Sequence, residues 1–229
     1  MRETDFPIIN EAFRADQIRP GQMDMLLERG WRHFGEYFFR YSYGFYELDI
    51  REVIPLRICL EEFSPSKSQR RILRRNADLR VEIQPAKITP EVETLFHRHK
   101  QRFKSGIPDS LYDFLSFEPD CVPCEAKEIS VYEAGELIAA SYFDVGDQTC
   151  SGVYAVFDPD RSKRSLGIFT MLKEIEFAVE NRKQFYYQGY SYSGNSFYDY
   201  KRRFRGTEGY DWSGSWVPLK EWRNASVQR

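Results

Sequence analysis

Five cations at helical spacing carry the clearest chemistry in this chain. In Ser64-Pro65-Ser66-Lys67-Ser68-Gln69-Arg70-Arg71-Ile72-Leu73-Arg74-Arg75-Asn76, the residues Lys67, Arg70, Arg71, Arg74 and Arg75 fall at i, i+3, i+4, i+7 and i+8. On a helix that spacing makes one stripe down one side. Ser64 reads as the N-cap and Pro65 as the first helical residue, where a missing N–H costs nothing. Like charges at this spacing repel, and the first of them meet the positive end of the helix dipole. Local helix stability therefore does not favour the pattern, whereas a polyanion would. No acid lies between Lys67 and Arg75 to form i,i+4 pairs, so phosphate binding is preferred to a solvated face.

The other reactive side chains suggest less. The four cysteines are Cys59, Cys121, Cys124 and Cys150, and Cys121-Val-Pro-Cys124 is a lone CxxC. Zinc would need a second pair at matching spacing, so the cysteines read as reduced structural thiols, with no metal and no cofactor. His97 reads as exposed and His99 as lining a helix face. There is no G-x-S-x-G and no paired Cys/His arrangement that would mark a nucleophilic enzyme.

These side chains sit in a globular composition, 41% hydrophobic, 16% aromatic and 30% charged. The 229 residues suffice for one large domain or a domain with a smaller lobe. No apolar run is long enough for a membrane span, and Met1-Arg2-Glu3-Thr4-Asp5 has no signal core, so a cytoplasmic protein without a membrane partner is expected. The net charge of −2 hides segregation: residues 1–63 carry −4, 64–104 carry +7, 109–160 carry −11 and 161–229 carry +6. That pattern suits a basic nucleic-acid surface beside an acidic lobe rather than a coat on DNA.

The elements that must position these residues follow from periodicity. Residues 1–25 read as a loose lead into a helix from Gln22 to Arg29, ended by Gly30. Trp31 to Phe39 reads as an aromatic strand and Val53 to Leu60 as a second, before the basic helix. Pro90 to Phe103 is a helix with Val92, Leu95, Phe96, His99 and Phe103 on one face. Glu128–Tyr132, Leu137–Val145 and Thr149–Phe157 form a meander punctuated at Ala134-Gly135 and Gly146-Asp147. Ser165 to Asn181 is an amphipathic helix, Phe185–Tyr190 a further strand, and Phe197–Phe204 a short basic-aromatic helix. Meander, helix, then strand is the core order of the GNAT acyltransferase fold. The expectation is an α+β, GNAT-like domain over 64–229 with a smaller N-terminal lobe over 1–63.

Six collinear motifs sharpen this. Gly30-Trp31-Arg32-His33-Phe34-Gly35 resembles the G-W/F-R-R-S-G turn of the arginyl-tRNA–protein transferases and the related bacterial aspartate/glutamate leucyltransferases. Pro55-Leu56-Arg57 and Phe63 to Arg71 resemble their P-x-R…F-x-P-S-[KR]-S-x-[RK] signature. Ser151-Gly152-Val153-Tyr154, Asp158-Pro159-Asp160 and Ser165-Leu166-Gly167 resemble S-S-V-Y…Y-D-P-D…S-x-G. Tyr187-Gln188-Gly189-Tyr190 and Tyr200-Lys201 resemble the following Y-x-G-Y and Y-K. The resemblance runs from about residue 25 to 205. It lapses at the family's C-x-x-C before P-x-R, where Ile50 and Val53 stand, so iron–sulfur or zinc regulation through that region is not expected.

The resemblance implies an aminoacyl-tRNA donor and an α-amine acceptor on a protein or peptide. The ester is already activated, which leaves positioning, proton removal and oxyanion stabilisation to the enzyme. Oxyanion donors would come from Tyr187, Gln188 or Tyr190, or from backbone N–H groups where this strand splays. Strand alternation puts Tyr186, Gln188 and Tyr190 on one face and Tyr187 on the other, and Gln188 and Tyr190 are favoured. Asp144 or Asp158 would orient the acceptor ammonium or act as base, Asp158 being equally an ordinary turn residue. Tyr154, Tyr187 and Tyr200 are assigned to substrate. Lys201 and Arg202, with Arg203 and Arg205, form a second basic cluster for acceptor-stem phosphates. Arg57, alone on an apolar strand, needs an anion: an acidic acceptor side chain, the tRNA 3′ end, or an internal carboxylate such as Glu61 or Glu62.

Three other readings compete. An acyl-CoA enzyme is disfavoured because Phe169 stands where the pyrophosphate loop needs a small residue. A non-catalytic RNA-binding module leaves the polar strand unexplained. A tRNA-dependent ligase acting on a small peptide or metabolite amine stays open.

Overall fold

The computed structural model describes residues 8–104 and 106–221. Its elements are β1 (Asn10–Arg14), α1 (Pro20–Glu28), β2 (Arg32–Phe34), β3 (Tyr37–Tyr41), β4 (Tyr43–Tyr46), β5 (Asp49–Cys59), α2 (Lys67–Arg75), β6 (Arg80–Pro85), α3 (Pro90–Lys100), β7 (Ala126–Glu133), β8 (Glu136–Val145) and β9 (Thr149–Phe157). They are followed by α4 (Leu166–Glu180), β10 (Phe185–Tyr192), β11 (Thr207–Tyr210) and β12 (Trp216–Pro218). Short 3-10 turns cover Leu111–Asp113, Pro159–Arg164 and Phe197–Arg203.

The meander and its flanking helices form as the periodicity demands. In β8 nine of ten residues are buried, as expected for a central strand covered on both faces. Its Ile138, Phe143 and Val145 pack with Phe169, Leu172 and Ile175 of α4. Leu137, Ala140 and Tyr142 pack on the opposite side with Val92, Leu95 and Phe96 of α3. A sheet therefore lies between helices, an α+β architecture. The sheet order is β12-β11-β5-β10-β9-β8-β7-β6, with β4 paired to β5. Every pair in it is antiparallel except β9 with β10.

Several local expectations change. Trp31 to Phe39 is two strands, β2 and β3, because Gly35 adopts φ +49° and turns the chain back. Part of the expected loose N-terminal lead falls on residues 1–7, outside the described residues. The rest supplies β1, which completes a three-stranded sheet ordered β1-β3-β2. The cap of α2 is Ser66, not Ser64. Its Oγ accepts from Gln69 N at 3.3 Å while Gln69 Oε1 accepts from Ser66 N at 2.8 Å, a reciprocal capping box that Ser64 cannot make. Pro65 consequently precedes the helix. The expected helix over 197–204 is a 3-10 turn, and β6, β11 and β12 add strands that periodicity did not reveal.

The expected boundary at 63/64 crosses the sheet, since β5 lies between β10 and β11. Its Leu56 and Ile58 are buried, and Ile58 belongs to the core beneath α4. The N-terminal segment thus completes the main sheet as well as forming its own small one.

Candidate active site

Parallel strands that stop pairing leave a wedge, and here the wedge is lined with polar groups. β9 and β10 pair only at Thr149, Cys150 and Ser151 with Phe185, Tyr186 and Tyr187. Beyond that, a register shift between Tyr187 and Gly189 marks a bulge in β10, and Gly189 adopts φ +84°, a conformation that favours glycine. The strands diverge around a cavity of about 470 Å³ lined by residues 152–155 and Phe157 of β9 and by Gln188, Gly189, Tyr190 and Tyr192 of β10. Aromatic side chains form most of its wall.

Its charged lining consists of Arg32, Arg102, Lys201 and Glu174. Arg32 is buried and donates from Nη1 to Ser151 Oγ at 2.5 Å and from Nη2 to Gly152 O. Burial lowers its pKa despite nearby Asp144. Glu174, buried on α4, accepts from Tyr186 Oη at 2.5 Å. Burial raises its pKa to about 7 against the lowering effect of that hydrogen bond. Lys201 donates from Nζ to Tyr190 O at 3.2 Å, and burial, then neighbouring Arg32, lower its pKa to about 7. Arg102 lies over the rings of Phe103 and Phe157 at 4.8 and 4.7 Å. His99 lines the same wall, accepts from Phe157 N at 3.0 Å, and is lowered to about 4 chiefly by burial.

Two polar atoms in this lining are buried without a partner among the described residues, Tyr154 Oη and Gln188 Oε1. Buried polar groups are normally satisfied, so both mark positions where a ligand would supply the missing bond.

The residues anticipated from sequence divide sharply. Gln188, Tyr190, Tyr154, Tyr200 and Lys201 line the cavity, while Arg57, Tyr187, Asp144 and Arg202 do not. Gln188 Nε2 donates to Lys201 O at 2.9 Å, so its free atom is an acceptor and not the oxyanion donor expected. Tyr190 Oη donates to Gly30 O at 2.7 Å, which ties β10 to the N-terminal segment and occupies the phenol. Asp144 is 2% exposed and binds His33 Nε2 at 2.9 Å behind the cavity. Asp158 caps the following 3-10 turn and pairs with Arg98 at 2.8 Å, the turn role. Tyr187 turns to the other face of β10 with Trp216, as alternation required.

Arg57 finds its anion inside the protein, but in Glu208 of β11 at 2.7 Å rather than Glu61 or Glu62. Its guanidinium also lies 3.8 Å from the Phe185 ring centroid and 4.4 Å from that of Trp216. Arg202 donates from Nε to Ser191 Oγ at 3.0 Å and from Nη2 to Tyr192 O. Arg203 and Arg205 are exposed. The expected second basic cluster is therefore split between interior and surface.

The first basic stripe stays together. Lys67, Arg70, Arg71, Arg74 and Arg75 are all exposed, and none has a carboxylate ion-pair partner among the described residues. Arg70 Nη1 donates to Pro65 O at 2.5 Å, and Arg75 Nη1 to Lys163 O. The helix is anchored by Ile72 and Leu73 against the core beneath α4.

Among the described residues one group has the donor set of a metal site, His33, Cys124 and Asp144, all buried with ligand atoms within 4.8 Å of one another. Both His33 ring nitrogens face oxygens, Nδ1 toward Gly35 O at 2.8 Å and Nε2 toward Asp144. Cys124 Sγ lies 3.6 Å from Asp144 Oδ1, and burial, then Asp144, push its thiol pKa up. Cys121 is exposed and is not part of this group. Ile50 and Val53 offer no ligand atom, and the family's N-terminal metal site does not fit this chain.

Arg32 and Glu174 escaped notice in the sequence as site residues. Glu174 had a readable signal, because it continues the Leu166, Thr170, Ala178 stripe on the buried face of α4.

Comparison with known proteins identifies the family. The model described as arginine-tRNA-protein transferase, C terminus, matches residues 91–211, and that of the N terminus matches residues 7–71. The aspartate/glutamate leucyltransferase of Xanthomonas campestris pv. campestris (strain B100) is 34% identical over 175 residues, covering 72% of this chain and 69% of that protein. The protein of that name from Shewanella putrefaciens (strain CN-32 / ATCC BAA-453) is 36% identical over 154 residues, 66% of this chain and 65% of its own. The solved structure of FemX superposes with a TM-score of 0.53 at 10% identity, over 95% of this chain and 74% of that one, a likeness of fold alone. The fold is α+β, with the meander, helix and parallel strand in the order expected of a GNAT-like domain, and no helix among the described residues is long and apolar enough to cross a membrane. With the wedge, its charged lining and these matches together, the chain belongs to the arginine-tRNA–protein transferase family and is an aminoacyltransferase.

Proposed function

We propose that the protein transfers an amino acid from aminoacyl-tRNA to the N-terminal α-amine of a protein or peptide, in the cavity between β9 and β10. Leucine is the donor amino acid and an acidic residue leads the acceptor, in keeping with the names of the relatives. The observation that carries this reading is the wedge itself, where two buried unpartnered polar atoms, Tyr154 Oη and Gln188 Oε1, face an excess of cations.

Each group has a distinct task. Gln188 Oε1 accepts an N–H of the acceptor amine. Tyr154 donates its O–H to the ester carbonyl oxygen, whose negative charge grows as the tetrahedral intermediate forms. Its phenol is raised to about 12 mainly by burial, so it remains a donor throughout the neutral range. Arg102, without a carboxylate partner among the described residues, meets the acceptor's acidic side chain in the role that Arg57 cannot fill. The exposed stripe on α2 holds tRNA phosphates, which supplies affinity without sequence information.

The test is transfer from labelled leucyl-tRNA to peptides beginning with Asp, Glu or a neutral residue. Transfer to the acidic pair, reduced on the order of a hundredfold in Tyr154→Phe with tRNA affinity unchanged, supports the proposal. Equal rates on all three peptides would remove the acidic preference. No transfer to any would favour a ligase for small amines.

A further inference from the structure

We infer that Lys201 is the general base of the transfer, taking a proton from the acceptor nitrogen and returning it to the departing ribose oxygen. The inference rests on the cavity being the transfer site. A lysine holding tRNA phosphate belongs on the surface, beside Arg203 and Arg205. Lys201 turns inward instead, and its Nζ lies 3.3 Å from the position a Cβ would occupy on Gly189. The amine therefore sits at the bulge where β9 and β10 part.

The surroundings disfavour a permanent charge. Among the described residues Lys201 has no carboxylate ion-pair partner, and its hydrogen bond runs to the carbonyl of Tyr190. A neutral amine can donate one N–H there and still present its lone pair to the cavity. The charged and titratable groups lining the same cavity are Arg32 on β2, Tyr41 on β3, His99 on α3 and Arg102 after it, Tyr142 on β8, Tyr154 on β9, Glu174 on α4, Tyr186, Tyr190 and Tyr192 on β10, and Tyr198 and Tyr200 on the 3-10 turn. Arg32 opposes a second cation, and the Tyr198 ring centroid lies 5.0 Å from Nζ. Glu174 is the competing base, but its carboxylate is already held by Tyr186 Oη.

The step balances without another reactant. The neutral acceptor amine attacks the ester carbon, a C–N bond forms, and the nitrogen becomes positively charged. Lys201 Nζ takes one proton from that nitrogen. The C–O bond to the ribose then breaks, and the Lys201 ammonium protonates the leaving oxygen. The products are an amide and a ribose hydroxyl, and Lys201 returns to its neutral form.

Single-turnover transfer from leucyl-tRNA, followed from pH 5.5 to 9, tests this in the wild type and in K201M, K201R and E174Q. The wild-type rate should rise with pH through about 7 as Lys201 loses its proton. A second rise near 8 belongs to the acceptor's own amine, whose usual value is about 7.7–8. K201M should lose on the order of 10²–10⁴ in rate, keep only the upper rise, and recover in part with added ethylamine. K201R should bind tRNA normally and remain slow, because a guanidinium does not give up its proton. E174Q should retain the lower rise.

Active K201R, or a K201M whose loss in rate equals its loss in tRNA affinity, would make Lys201 a phosphate contact and overturn the inference. A lower rise that survives in K201M and vanishes in E174Q would pass the role to Glu174. Absence of transfer by the wild type to any acceptor would overturn the functional proposal and this role with it. Active wild type with an unchanged K201M profile would overturn the base assignment alone.

Discussion

Replacing Arg57 with Met separates folding from substrate reading. The guanidinium is only 11% exposed, donates to Glu208 at 2.7 Å, and lies against the rings of Phe185 and Trp216. Loss of a hydrogen bond between charged groups costs about 1.5–3 kcal/mol. Each cation–π contact contributes about 0.5–1 kcal/mol at sites that are not fully desolvated. Methionine restores much of the buried apolar contact, so the net expectation is a loss of about 3 kcal/mol, including the unpaired Glu208 carboxylate left behind. In a chain of this size that lowers the melting temperature by about 6–12 °C. Thermal unfolding by circular dichroism reads the first effect, and the ratio of kcat/KM on Asp-led and neutral-led peptides reads the second. Below the lowered melting temperature that ratio should match the wild type. An unaltered melting temperature with a collapsed ratio would refute the argument and return Arg57 to the substrate.

Three further outcomes follow from the same geometry. Simultaneous Arg70→Ala, Arg71→Ala and Arg74→Ala should weaken all tRNAs alike and flatten the plot of log affinity against log salt by roughly 0.7–0.9 per lost phosphate contact; an unchanged slope would leave the stripe solvated. Glu174 is held protonated to about 7 by burial whereas its ordinary value is 4.5, so the folded state binds the extra proton between these values. Stability from this group is therefore full below about 4.5 and lost as pH rises through about 7, by at most about 3 kcal/mol. Glu174→Gln should flatten that fall in a pH series of melting temperatures, and an identical series would exclude Glu174 as its source. Turnover should withstand dialysis against a chelator, with Cys124→Ser still active; loss of both activity and bound zinc, measured by elemental analysis, would assign a metal to His33, Cys124 and Asp144.

Sequence by itself determined what depends on neighbours along the chain. The basic stripe was readable because helical period places Lys67 to Arg75 on one side whatever the helix packs against, and a run without acids has no local partner. The meander, α4 and the two faces of β10 were readable for the same reason, since alternation and amphipathic period follow from backbone geometry. Motif order over residues 25–205 also pointed to the family, which the comparisons bear out. The cap of α2 missed by two residues because three serines compete there and only Ser66 has Gln69 at the reciprocal position.

Tertiary structure decided which charges are spent and which remain. Arg57 and Glu208 are 151 residues apart, and His33 and Asp144 are 111 apart. No local pattern encodes such pairings, because they arise from strand order and the closing of the β2–β3 hairpin over the sheet. Lys201 looked like the first member of a surface cluster, yet the 3-10 turn after β10 points it into the wedge while leaving Arg203 outside. Burial and pairing are set by what the fold brings near. A side chain's charge and reactivity in the site were therefore fixed only when the strands parted at Gly189.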